Sequence, residues 1–551
     1  MRIIFTAMKG KWRWLLLLMT WGLLGCDYSK NSHDGKMVFR YNESNAITTL
    51  DPAFASDLET MWLVNQLYDG LVSMDDSLHI IPSIAQSWKI SDDGLVYEFH
   101  LRSDVFFHPC AGIEGVRTVH ASDVLFSFQR ILDDAIASPG RWIFENVAAN
   151  GFTVINDSIF QIQLKEPQGS FLSMLTTQYA NVVCPEAVQL NGMDFRKKPV
   201  GSGPFKMAFW EDQIGIVFHK NERYWMQDHE GMALPYLDAV HVDLVKDPFA
   251  EFQGVVSGKY DFMSGVHPSF LNELLTPQGD LQSQWSKNLQ LRKTPFIKTD
   301  YIGCFLETNI ALLRDERFRK ALSMAIPRVL LCEQLRNNLI VPASQGFVPP
   351  MLDGDTSAVH ALEYHPEESR QWVNALEGEY GHPLPTIELA TTPEFVDIYE
   401  FLQFKWQEVG IPIKIKVMQS AAFKEATAKG QVPLFRKNWL ADFPDAENFL
   451  QVFTQDQWSP KGPNYTHYFN AEWEKGFDDA KRMRDESSRR SAFKKLDQKI
   501  SGDLPVIPLY YDQVIHVVSK DIENWSINGI NLLDLTRVKK SSYIRPAHVE
   551  N

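Results

Sequence analysis

From Phe296 onward, apolar positions come in two rhythms that alternate along the chain. Short runs suited to strands (Thr299–Leu306, Ile387–Ala390, Ile411–Val417) are separated by stretches with helical spacing. The clearest of these stretches, Glu394–Val409, stops at Gly410 with Pro412 beyond it; Ala421–Lys429 is a second helix. Together they predict a β-α-β-α-β unit whose last strand carries Val432, Leu434 and Phe435 and then Arg436 and Trp439. Pro444 and Asp445 break that strand, and Asn448-Phe449-Leu450 opens another helix.

The first half is patterned differently. A strand over Met37–Tyr41 is followed by a helix with apolar Met61, Leu63, Val64, Leu67 and Tyr68, closing at Gly70. Asp92-Asp93-Gly94 signals a hairpin turn, and Val96–Arg102 alternates strictly, as a half-buried strand does. The tail after Arg537 is basic and polar and is expected to fray.

The first 25 residues stand apart from this fold. Arg2, Lys9, Lys11 and Arg13 precede a short apolar core, Leu15 to Leu24, too short for a membrane span and suited to a secretory signal. Leu23-Leu24-Gly25-Cys26 ends it, with the order of a bacterial lipobox, so Cys26 is expected to be lipidated. Polar residues from Asp27 to Lys36 then form a tether.

At 551 residues the chain exceeds one core, and two or three domains are expected. Hydrophobic residues make up 44% and charged residues 22%, as in ordinary soluble proteins. A net charge of −15 without a basic stripe argues against a nucleic-acid partner. H-E-x-x-H and C-x-x-C are both missing, and the 15 histidines look scattered, so neither catalysis, metal nor cofactor is expected. Beyond Cys26 remain Cys110, Cys184, Cys304 and Cys332, which an exported protein could pair in three ways or keep reduced.

Arg436, Trp439 and Asp442 put a guanidinium, an indole and a carboxylate within seven residues. That set suits a zwitterion: the carboxylate receives an ammonium, the Arg fork a carboxylate, and the indole supplies a flat wall. The same residues also fit a surface Arg, a capping Asp and a core Trp.

Trp439-Leu440-Ala441-Asp442-Phe443-Pro444-Asp445 and Asn448-Phe449-Leu450 resemble the W-x-A-D-Y-P-D-x-x-N-F-L segment of the bacterial extracellular solute-binding proteins of family 5, the oligopeptide- and dipeptide-binding proteins of ABC importers. Leu50-Asp51-Pro52, Tyr68-Asp69-Gly70-Leu71, Ile81–Trp88, Ala121–Val124, Val200–Phe205 and Pro508-Leu509-Tyr510-Tyr511 match further segments, so the resemblance covers nearly the whole mature chain. It implies an α/β, two-lobed periplasmic-binding-protein fold of class II, with an extra subdomain and a cleft that closes at a hinge. Lobe I is expected over 37–69, 195–295 and 508–540, its subdomain over 70–194, and lobe II over 296–507.

By the same resemblance Asp442 holds a peptide's α-ammonium and Arg436 the carboxylate of a short peptide. Trp439, Tyr510 and Tyr511 line the cleft, although core aromatics are an equal reading of the tyrosines. The partners implied are short peptides, an ABC permease in the inner membrane, and the membrane itself through Cys26, with the protein a monomer facing the periplasm or cell surface. Other solutes of the family (nickel, haem, a murein peptide), a peptide-sensing role and a surface peptidase are the alternatives. Asp442 favours an amine-bearing ligand among them.

Overall fold

Two long strands, Leu289–Cys304 and Val506–Ser519, run antiparallel through the middle of an eleven-stranded sheet. On one side Leu434–Leu440, Ile387–Thr391 and Ile413–Val417 follow in order. On the other lie Phe262–Ser264, Val38–Asn42, Ala239–Asp243, Gly215–Lys220 and Phe205–Glu211, and the short strand Val341–Pro342 pairs with Val506–Ser519 off this path. The structure, a computed structural model, describes residues 36–353 and 358–541; the expected signal segment and Cys26 lie outside them.

The pairing of the long strands slips between Pro295 and Thr299. Proline has no N–H to give to a ladder and is tolerated where the register shifts. The sequence pattern predicts a strand over Thr299–Leu306; the slip lets the strand begin at Leu289, and it ends at Cys304.

The α/β unit forms with small changes at its ends. A single 3₁₀ turn, Pro393–Phe395, leads into the helix Val396–Glu408, which buries Ile398, Tyr399, Leu402 and Trp406 on one face. The next strand begins at Ile413 rather than Ile411. The Ile411 N–H is spent on the Trp406 carbonyl at 2.9 Å, and Pro412 has none to offer. Lys414 and Lys416 sit on this edge strand, where charge blunts pairing with other chains. Ser420–Ala428 is the second helix.

Between Ala85 and Leu164 a separate antiparallel sheet forms in the order Ala85–Ile90, Val96–Leu101, Ile159–Leu164, Val147–Asn156. The helix Ala121–Leu132 covers it with buried Val124, Phe128 and Ile131. One hydrophobic cluster runs without a break from this sheet (Phe99, Phe160) to the main-sheet strands (Phe39, Phe205). Val200–Phe205 lies against the preceding helix so closely that a Cβ on Gly203 would sit 2.5 Å from the Leu67 carbonyl carbon, and only glycine fits.

Of the tail after Arg537, residues 538–541 are held in place, and the rest lies outside the described residues. Lys539–Lys540 pairs with Ile522–Glu523, and Lys540 Nζ lies 2.8 Å from both oxygens of buried Asp261. A buried carboxylate needs a partner, and the tail supplies it.

Candidate functional site

Asp442 follows the strand Leu434–Leu440 directly, and the helix Ala446–Leu450 begins four residues later. Asp445 makes that sharp return possible: its Oδ1 accepts the Glu447 N–H at 2.8 Å and caps the helix. The turn brings Asn448, fully buried, back beneath the strand end. Its Oδ1 accepts from Trp439 Nε1 at 2.9 Å and from the Asp442 N–H at 3.3 Å, while its Nδ2 donates to Asp442 Oδ2 at 3.3 Å. One amide thus fixes both the half-buried indole and the carboxylate.

Asp442 keeps access to solvent, although protein surrounds it on most sides. The surrounding protein pushes its carboxyl above the usual range, with the Asn448 hydrogen bond opposing. Among the described residues no ion pair includes Asp442. Opposite lies the other lobe. Tyr179 is close enough that the Asp442 charge adds to burial in raising its phenol, and Trp142 stacks on Phe443 with centroids 5.7 Å apart. Phe443 is buried within the large cluster that holds Phe39 and Phe99, although it adjoins the strand Leu434–Leu440.

A buried polar cluster adjoins this contact. Arg489 donates to both oxygens of Asp445 at 2.7 Å and to Glu447 Oε2 at 2.8 Å. Glu447 also accepts from Gln168 Nε2 at 3.0 Å and Ser170 Oγ at 2.9 Å, across the gap. Burial pushes the Glu447 carboxyl upward, while Arg489 pulls it back.

Arg436 is placed otherwise. Its Nε donates to Asp300 Oδ1 at 3.1 Å, its Nη2 pairs with Asp300 Oδ2, and its guanidinium lies 3.6 Å from the Phe395 ring centroid. Asp300 is buried and Arg436 nearly so. A ligand carboxylate would have to displace Asp300 or use the Nη1 edge. Tyr510 and Tyr511 are buried too: Tyr510 in the hydrophobic cluster with Ile302 and Leu389, Tyr511 with its hydroxyl donating to the Gly346 carbonyl at 2.8 Å. The structure therefore groups Trp439 and Asp442 with Asn448 and Tyr179, and sets Arg436 and the tyrosines among inner partners.

Asn448 belongs to the segment that resembles the family, but the sequence alone assigns it no task. Its spacing of six from Asp442 was the available signal. Gln168, Ser170 and Arg489 carried none, since only the fold brings them to Glu447. The four cysteines are unpaired thiols, and burial pushes Cys184, Cys304 and Cys332 up to about 12. The histidines are not all scattered: His360, Glu363 and His365 meet, sharing no residue with the Asp442 site.

The model of the bacterial extracellular solute-binding proteins, family 5 Middle, matches residues 79–461, more than half of the chain. The peptide transport periplasmic protein SapA of Salmonella typhimurium is 26% identical over 536 residues, 91% of this chain and 93% of that protein. The dipeptide-binding protein DppE of Bacillus subtilis is 24% identical, covering 96% and 98%. Among solved structures, the periplasmic binding protein DppA of Helicobacter pylori in complex with the peptide STSA superposes with a TM-score of 0.74 at 23% identity, over 92% of this chain and 98% of that one. HbpA2 of Haemophilus parasuis reaches 0.79 at 20% identity, over 92% and 100%.

The Arg436–Asp300 pair generates a stability test. Removing one partner of a buried pair costs about 3–5 kcal/mol, because the other charge stays buried. Arg436→Ala is expected to lose that much in urea unfolding. Arg436→Met with Asp300→Leu should recover most of it; no loss in the single variant would mean Asp300 is solvated.

Proposed function

This chain belongs to the bacterial extracellular solute-binding proteins of family 5, and from that premise we propose that it binds short peptides between its lobes and delivers them to an ABC permease. One observation carries the choice of ligand: Asp442 is a carboxylate pushed up by the protein around it, held by Asn448, with no cation paired to it among the described residues. An α-ammonium supplies that missing charge. The charge-assisted bonds it makes are about twice as strong as neutral ones. The relatives described as peptide- and dipeptide-binding proteins support the same ligand class.

The indole of Trp439, anchored through Asn448, gives the first residue of the peptide a rigid wall, and Tyr179 faces it from the other lobe. Backbone hydrogen bonds in extended form hold the rest without reading side chains. Closure bends the two long strands where their register slips, between Pro295 and Thr299. For the carboxylate end, Arg436 has its Nη1 edge available, so it serves at most one peptide length. No bond is made or broken in this cycle. The protein is a monomer held at the membrane by lipid on Cys26, with residues 1–25 removed on export.

Calorimetry with peptides of two to five residues tests the ammonium reading. Free peptides are expected at micromolar affinity or tighter, about −8 kcal/mol. Acetylating the amine, or Asp442→Asn with free peptides, should weaken every length by about 2–5 kcal/mol, as when one charge of a buried pair is stranded. Equal binding of free and acetylated peptides would end the ammonium reading.

The anchor has its own test. Cys26→Ser is expected to leave uncleaved precursor or release soluble protein, measured by membrane fractionation and by mass of the amino terminus. Normal processing and partitioning in that variant would exclude the lipid.

A further inference from the structure

Away from the Asp442 site, on lobe II, the segment 360–368 folds three metal-type ligands together. His360–Leu362 is one turn of 3₁₀ helix, and His365 directly precedes the helix Pro366–Tyr380. The two imidazole rings lie 4.5 Å apart, centroid to centroid. Glu363 Oε2 sits between them, 3.5 Å from His360 Nδ1 and 3.3 Å from His365 Nε2. One ligand atom from each residue falls within 4.8 Å of the others.

A second observation concerns the far side of the His360 ring, where Nε2 is 3.2 Å from Glu368 Oε2. Both nitrogens of this imidazole therefore face carboxylates. When the Nε2–H is donated to Glu368, Nδ1 has its lone pair toward the oxygen of Glu363, so both can bind one cation placed between them. Glu368 then orients the imidazole as second-sphere carboxylates do.

Two of the three spacings fit an ion of definite size. Zinc bonds of about 2.0–2.1 Å place tetrahedral ligands about 3.3 Å apart. The two separations to Glu363 are close to that edge. Two imidazoles and a carboxylate suit zinc and its neighbours nickel and copper rather than calcium or magnesium, which prefer oxygen sets.

The backbone is held for the purpose. Val359 N–H donates to the Ser344 carbonyl at 2.8 Å and His365 N–H to Met324 at 2.9 Å. Arg328 Nη1 donates to the Leu362 carbonyl at 2.5 Å, and Leu362 is itself buried. The ligand side chains are exposed, so an ion can enter from solvent and keep water in a fourth position.

We propose that His360, Glu363 and His365 bind a divalent ion of the zinc type on lobe II, with Glu368 positioning His360. The ion ties the 3₁₀ turn to the start of the following helix, and its binding adds to the stability of the lobe by mass action. The site is independent of the peptide reading.

The experiment titrates zinc chloride into the full-length protein after EDTA treatment and dialysis, by calorimetry, with cobalt(II) absorption as a second readout. One equivalent is expected at about 10 µM or tighter. His360→Gln and His365→Gln should each weaken it at least tenfold and abolish the tetrahedral cobalt band. Glu368→Gln should weaken it about 10- to 100-fold, as expected for a group that orients a ligand. The variants should melt like the wild type in EDTA, which separates lost ligation from lost folding. Asp442→Asn should leave the stoichiometry unchanged. Equal zinc binding by the wild type and a His360→Gln/His365→Gln double variant, or no equivalent bound at about 100 µM zinc, would overturn the proposal.

Discussion

A single buried side-chain amide, that of Asn448, is the constraint on which the Asp442 site depends. It satisfies the indole N–H of Trp439, the backbone N–H of Asp442 and one oxygen of the Asp442 carboxylate at once. Asn448 arrives there because Asp445 caps a five-residue helix and turns the chain back on itself. An apolar residue at 448 would leave Trp439 Nε1 and the Asp442 N–H without these partners. Each buried donor left that way costs about 1–3 kcal/mol. The geometry of Asp442 is thus inherited from the turn that follows it.

The same turn ties the lobes together. Asp445 and Glu447 flank the amide and share Arg489, while Glu447 reaches Gln168 and Ser170 on the other side. Buried ion pairs of this kind add little net stability, since desolvation offsets most of the attraction. Their value is in register: when the lobes are closed, Glu447 is buried and keeps its partners only in this arrangement. Phe443 stacked on Trp142 adds apolar contact to the same junction. The site is therefore bordered by residues whose pairing requires both lobes.

Much of this was legible in the sequence, for identifiable reasons. The helix Val396–Glu408 and the strands around it follow from periodicity and from Gly410 and Pro412, which act locally. The long strand from Leu289 was not legible before Thr299, because Pro295 is a breaker unless a register slip accommodates it. Trp439 and Asp442 could be singled out as a pair of chemical types at a strand end. The bond of Arg436 to Asp300 could not, since the residues lie on two strands brought together only by the sheet. The hold on the start of the tail was not legible for a similar reason: Lys540 meets Asp261, which is remote in sequence. The His360–Glu368 grouping was within one segment, but its 3₁₀ turn follows neither the helical nor the strand period.

The central claim is that Asp442 receives the ligand's ammonium, and proton linkage tests it most directly. In the free protein the surrounding protein raises its carboxyl; a bound ammonium favours the ionised form and lowers it. Affinity is then full above the raised free-state value and falls as pH drops through it toward the bound-state value. In that window peptide binding must expel a proton. Calorimetry in buffers of differing ionisation enthalpy measures it. The account predicts proton release in mildly acid solution that vanishes toward neutral pH and is absent in Asp442→Asn. Release that is the same in that variant, or none at any pH, would contradict it.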